Sequence, residues 1–149
     1  MSMTIKQHVD HWLNSSNESL RTMEVLLKND RRMDAMYFGH LSVEKAFKAL
    51  AAAQNSKIIF EHNLVTLANH CGIVLTDDMQ LELQAINEFN TKARYASNKS
   101  RIYSLCTPKY VSAWAVIIRK WQKLLKKQVA QLRAALPNNT PAQFPVNEY

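Results

Sequence analysis

Glycine is nearly absent from this 149-residue chain, which has only Gly39 and Gly72. Two glycines leave no material for a Walker-type phosphate loop, a paired-glycine dinucleotide turn or a G-x-S-x-G elbow, and this weighs against the familiar nucleotide enzymes. Three of the four prolines, Pro137, Pro141 and Pro145, fall in the last thirteen residues. The interior therefore carries few breakers, which favours long helices. The two cysteines, Cys71 and Cys106, lie far apart without C-x-x-C spacing, so neither a disulfide framework nor a zinc site is expected, and the compartment reads as reducing. Long apolar runs are missing too. The stretch around Trp114 to Ile118 falls far short of the roughly 20 residues a membrane helix needs. Lys6, His8, Asp10 and His11 leave no room for a signal-peptide core, so the expected location is cytoplasmic, with no membrane association.

Apart from Glu148, acidic residues are absent from residue 89 onward. The formal charge is +7, yet residues 1–88 hold 8 basic and 11 acidic side chains, whereas residues 89–147 hold 11 basic and no acid. A basic half of this kind attracts phosphates or acidic partners, without specifying which.

What is present is helical periodicity. Ile5, Val9, Trp12, Leu20, Met23 and Leu27 mark a first helix from about Ile5 to Lys28, with Ser15-Ser16-Asn17 expected to loosen its middle. A second, from about Arg31 to Gln54, carries the stripe Met33, Tyr37, Phe47 and Ala51, and its alanines permit close packing. Asn63 is placed to cap a short third helix with Leu64, Leu67 and Ala68, which Gly72 stops. Thr76-Asp77-Asp78 opens a fourth, carrying Met79, Leu83, Ile86 and Phe89 and ending near Arg94-Tyr95. Residues 96–106 read as a basic, mobile loop. Thr107-Pro108 starts a fifth helix that reaches about Leu136. On it Tyr110, Trp114, Ile118, Trp121, Leu125 and Val129 share one arc, and Arg119, Lys120, Lys123, Lys127 and Arg133 the opposite one. The fold expected is all-α, an antiparallel up-and-down bundle of four main helices plus one short helix. Residues 1–136 form it, and 137–149 read as an appended, poorly ordered tail.

The polar residues are less easily placed. His40, Glu44 and Lys48 are successive i,i+4 neighbours, and the first two lie inside the apolar stripe of the second helix. A buried carboxylate without a partner costs several kcal/mol, so Glu44 needs one, in a structural network or at the wall of a cleft. His8 and His11 have a spacing that metal sites use, but no third ligand converges, and both are read as solvent-exposed; no metal or cofactor is expected. Lys92, Arg94, Tyr95, Lys99, Arg101 and Tyr103 form an acid-free cluster where a helix end meets a loop. Guanidinium forks there suit phosphates, while capping of the helix C-terminus accounts equally for Arg94. The basic arc of the last helix is a solvated face or a contact for RNA backbone.

Three blocks in order, His40-Leu-Ser-Val-Glu44-Lys45-Ala-Phe-Lys48-Ala-Leu50, then Glu61-His62-Asn63-Leu64, then Ala93-Arg94-Tyr95, resemble the HEPN domain family over roughly Trp12 to Leu132. The resemblance implies a helical bundle that forms a homodimer. Active members resembling it are metal-independent ribonucleases with an arginine, four to six residues, then a histidine. Arg94 matches the arginine, but positions 99 to 101 hold Lys99, Ser100 and Arg101. A general base must accept a proton near neutral pH, which neither lysine nor arginine readily does. The expected function is therefore non-hydrolytic binding of a nucleotide or RNA phosphate by Arg94, Tyr95, Lys92, Lys99 and Arg101, with His40, Glu44 and Lys48 shaping the cleft. The resemblance further implies a minimal nucleotidyltransferase partner in a toxin–antitoxin-like pair, with Tyr103 at the position such a partner modifies. The alternatives are a divergent ribonuclease toxin using His40 or His62 as base, and a structural dimerisation module.

Overall fold

The structure, a computed structural model, describes residues 3–91, 103–144 and 146. Its helices are α1 (Ile5–Lys28), α2 (Arg32–Ala53), α3 (Leu64–His70), α4 (Asp77–Thr91) and α5 (Pro108–Ala134). A single helical turn at 103–105 precedes α5. The architecture is an all-α bundle, and every helix but α2 starts at a side-chain cap. Thr4 and Gln7 form a reciprocal capping box on α1. The Asn63 side chain accepts from the Val65 and Thr66 amides at the head of α3, and Thr107 caps α5 ahead of Pro108. Gly72, at φ 74°, turns the chain after α3 into a conformation that β-carbon-bearing residues avoid.

Helix α2 is the axis of the bundle. Helices α1, α4 and α5 all pack on it, and it is buried on nearly every side, including Ala35, Met36, Gly39, Val43, Ala46, Phe47 and Leu50. The apolar stripe read from Met33, Tyr37, Phe47 and Ala51 understates this, because small residues complete the circumference. A β-carbon on Gly39 would sit 2.6 Å from Ile118 Cδ1, so glycine here permits α5 to approach. The Ser15-Ser16-Asn17 segment does not interrupt α1. Ser16 Oγ donates to the Ser42 carbonyl at 2.6 Å, and the Gln122 amide donates to Asn17 Oδ1 at 2.8 Å, so these polar groups tie α1 to its neighbours.

Two further expectations are corrected. The expected basic loop is described only over 103–106, where a helical turn leads to a buried Cys106 whose carbonyl accepts from Arg32 Nε. The tail is not a loose appendage over residues 137–144. It runs back antiparallel to the start of α1, with Ile5 N donating to Thr140 O at 2.9 Å and Ala142 N to Met3 O at 2.8 Å. Gln143 N then donates to Asn55 Oδ1 at 2.8 Å, crossing to the end of α2. This strap delivers Val146 to the rim of a cleft.

Candidate functional site: a cleft around Glu44

The spacing of His40, Glu44 and Lys48 puts three polar side chains on one face of α2, one turn apart. All three are buried. Glu44 holds the cluster together: its Oε2 lies 3.1 Å from Lys48 Nζ, and its Oε1 accepts from His62 Nδ1 at 2.8 Å. The partner demanded by a buried carboxylate is therefore double, one cation from its own helix and one imidazole from the connection between α2 and α3. Lys48 Nζ also sits 5.3 Å from the centre of the Trp12 ring, a cation–π arrangement.

The His62 segment is fixed by its neighbours. Glu61 Oε1 accepts from the backbone N–H groups of both His62 and Asn63 at 2.9 Å. Asn87 of α4 accepts from the Leu64 amide at 2.8 Å and donates to Asn63 Oδ1 at 3.0 Å. The result is a half-exposed imidazole whose Nδ1 is spent on Glu44.

His40 behaves differently. Its Nε2 lies 3.0 Å from the His62 carbonyl, which can only accept, so the ring proton sits on Nε2. Its Nδ1 is 4.0 Å from Glu44 Oε1 and has no hydrogen-bond partner among the described residues. Burial pushes the pKa of His40 down to about 4, against the pull of the Glu44 carboxylate. The ring is neutral at pH 7 and serves to brace the His62 backbone.

Glu44, Lys48 and His62 border a cavity of about 590 Å³, whose lining does not include His40. Its mostly apolar walls come from Trp12 of α1 and from Phe60, with Lys45, Glu61 and His62 on the rim. Lys45 Nζ donates to Ser19 Oγ at 3.0 Å, and burial pushes its pKa down, partly opposed by Glu44.

Of the three residues expected to shape the cleft, Glu44 and Lys48 pair and line the cavity, while His40 lies one turn away outside its lining. Lys92, Arg94, Tyr95, Lys99 and Arg101 lie outside the described residues. Tyr103 is exposed in the turn before α5 and is not part of the cleft lining. Trp12, Lys45 and Phe60 were not anticipated. The signal available for Lys45 was its place beside Glu44 on a helix buried all round. The expectation of two exposed histidines fails for His8, which is buried and whose pKa burial pushes down; His11 borders the cleft. Among the described residues no three metal-ligating side chains gather. Cys71 donates to the Phe47 carbonyl, and burial pushes its pKa up to about 12, so it stays a thiol.

Part of the basic arc of α5 is consumed internally. Arg119 forms a two-pronged pair with Glu24 at 2.7 and 3.0 Å, Lys120 meets Glu82 at 2.9 Å, and Arg133 meets Asp10 at 3.0 Å. Among the described residues no helix is long and apolar enough to cross a membrane. Comparison with family models matches residues 9–128 to one described as HEPN domain. Curated proteins and solved structures give no match.

Proposed function

The chain belongs to the HEPN family, and from that premise we propose that it binds a nucleotide or RNA phosphate as a homodimer without cutting what it holds. The observation that carries this reading is the cleft. Its buried carboxylate is already engaged by Lys48 and His62, so the groups left to meet a ligand are Lys45, the outer edge of His62 and aromatic carbon. Asn87 joins α4 to the Asn63 segment beside His62. In this reading Arg94 is the central phosphate ligand, Lys92, Lys99 and Arg101 add positive field, and Tyr95 stacks on a base. The absence of histidine at positions 99 to 101 argues for holding over hydrolysis. A minimal nucleotidyltransferase in a toxin–antitoxin-like pair is the partner that fits, with Tyr103, solvent-exposed, as the hydroxyl it modifies.

A second reading, a ribonuclease of divergent chemistry, draws on one specific feature. Glu44 fixes His62 with its proton on Nδ1 whenever the ring is neutral, which leaves the Nε2 lone pair to act as a base, the arrangement of a carboxylate-oriented imidazole. His40 does not qualify, being buried, neutral and committed to the His62 carbonyl.

Expression of wild type, Arg94→Ala and His62→Gln in cells, scored together for growth and RNA integrity, separates the two. Healthy growth with intact RNA in all three, alongside salt-sensitive RNA or nucleotide binding that Arg94→Ala abolishes, is the expected result. RNA breakdown by wild type that His62→Gln stops replaces it with the ribonuclease.

A further inference from the structure

The apolar arc of α5 is wider than the bundle can cover. Trp121, Leu125 and Val129 are buried, but Leu124, Gln128 and Leu132 make a second stripe beside them at helical spacing, and its two leucines stay exposed. That stripe is one wall of a groove of about 700 Å³. The turn after α3, from Cys71 to Val74, and Met79 of α4 form the other. Among the described residues no charged side chain lines it.

The turn is rigid before anything docks. Gly72 adopts φ 74°, and the amides of Gly72 and Ile73 donate to the Asn69 and Ala68 carbonyls at 3.0 Å. Gln54 Nε2 donates to the Cys71 carbonyl at 2.8 Å. Val74, 90 % exposed, is an apolar knob on a fixed backbone, so covering it costs little in ordering.

The two sides of the groove carry opposite charge. Lys123 and Lys127 flank the α5 stripe, and Asp77 and Asp78 open α4 next to Met79. All four are exposed and form no ion pair among the described residues, whereas Lys120 and Glu82 already pair between the two helices at 2.9 Å. Such a groove fits a face that bears the same two rims in reverse order. A second copy related by a two-fold axis running along the groove supplies one. It sets each basic rim on the other copy's acidic rim, and Val74 of each copy against Leu124 and Leu132 of the other. An axis across the groove would set like charges together, which costs affinity.

We propose that this groove is the seam of a two-fold homodimer, closed by Val74 and by Lys123 and Lys127 against Asp77 and Asp78. The proposal rests on the homodimer of the reading above, to which it adds the face that docks.

Sedimentation velocity of the full chain over a range of concentrations tests it. Wild type should pass from monomer to dimer as concentration rises. Val74→Asp puts an unpaired charge into the seam twice, once per copy, and should raise the dissociation constant about a hundredfold. Val74 is exposed in the single chain, so circular dichroism should be unchanged. Lys123→Glu with Lys127→Glu gives a chain with two acidic rims, and Asp77→Lys with Asp78→Lys one with two basic rims. The second retains the Thr76 cap of α4. Each alone should stay monomeric, and an equal mixture of the two should dimerise again, because unlike charges then face each other on both sides. A wild-type dimer that these variants leave intact overturns the seam while the homodimer reading stands. Charge variants that lose the dimer without regaining it on mixing overturn the two-fold match. A wild type that is monomeric at every concentration removes the seam and the homodimer together, and leaves the groove to a different protein.

Discussion

Helix α2 passes through two unlike environments within five residues. At Gly39 it is so close to its neighbours that a β-carbon would meet Ile118 at 2.6 Å and Met23 Sδ at 3.0 Å. At Glu44 it presents a carboxylate, flanked by Lys48 and His62, to a cavity of about 590 Å³. One contact is closed by the absence of a side chain, the other kept open by charges that cannot collapse onto carbon. The difference teaches that burial has two separable meanings here. Around Gly39 it reports shape complementarity, and around Glu44 it reports a polar network enclosed by protein and standing at the edge of a void.

If that contrast is right, the two regions should fail differently. The largest effect is expected at the charged end. Glu44→Ala takes the carboxylate from a buried ammonium and a half-exposed imidazole and should cost about 3–5 kcal/mol in urea unfolding. Adding Lys48→Met should recover part of that loss, because a matched apolar replacement removes the stranded charge. A single-variant loss under about 1 kcal/mol would show that the network holds nothing.

The next effect sharpens the contrast through pH. The folded pKa of His40, about 4, lies below its ordinary 6.5. Between these values the unfolded chain binds a proton that the folded chain refuses. Stability is therefore undiminished above pH 6.5 and falls as pH drops toward 4, by on the order of 3 kcal/mol. His8 shifts in the same direction, so His40→Gln should remove only part of the slope between pH 7 and 4, measured by denaturant midpoints. An unchanged slope would mean that His40 is not held neutral.

The smallest effect belongs to the closed end. Gly39→Val should cost about 1–3 kcal/mol by overpacking against Ile118 and Met23. Gly39→Ala should cost less, because alanine regains about 1 kcal/mol of helix propensity. Thermal midpoints ordered glycine, alanine, valine would support the close approach, and a valine variant as stable as wild type would break the comparison.

Much of the fold was legible because its signals are local. Thr107-Pro108, Asn63 and Gly72 act within a few residues of themselves, and α1 runs from Ile5 to Lys28 as its periodicity predicts. The candidate site was half legible. A charge inside an apolar stripe announces that Glu44 must be partnered, and Lys48 is one turn away. That His62 supplies the second partner, and that Trp12 and Phe60 enclose the space, depends on how α1 and the α2–α3 connection lie against α2, which no periodicity encodes. The tail was misread for the same reason: its order comes from hydrogen bonds to Met3, Ile5 and Asn55, while its composition resembles that of an unattached end. His8 was misjudged because histidine spacing says nothing about which side of the helix meets the core.

The antiparallel pairing of residues 3–5 with residues 140–142 gives the backbone the form of a nearly closed ring. For such a ring the position of the cut matters little to packing. A short bridge from residue 143 to residue 3, with fresh termini opened beside the exposed Val74, would leave every helix in place while altering which segment is free to move at the mouth of the cleft. Circular permutation thus offers a way to take Val146 off the rim without altering the cavity-facing side chains of α1, α2 or the α2–α3 connection.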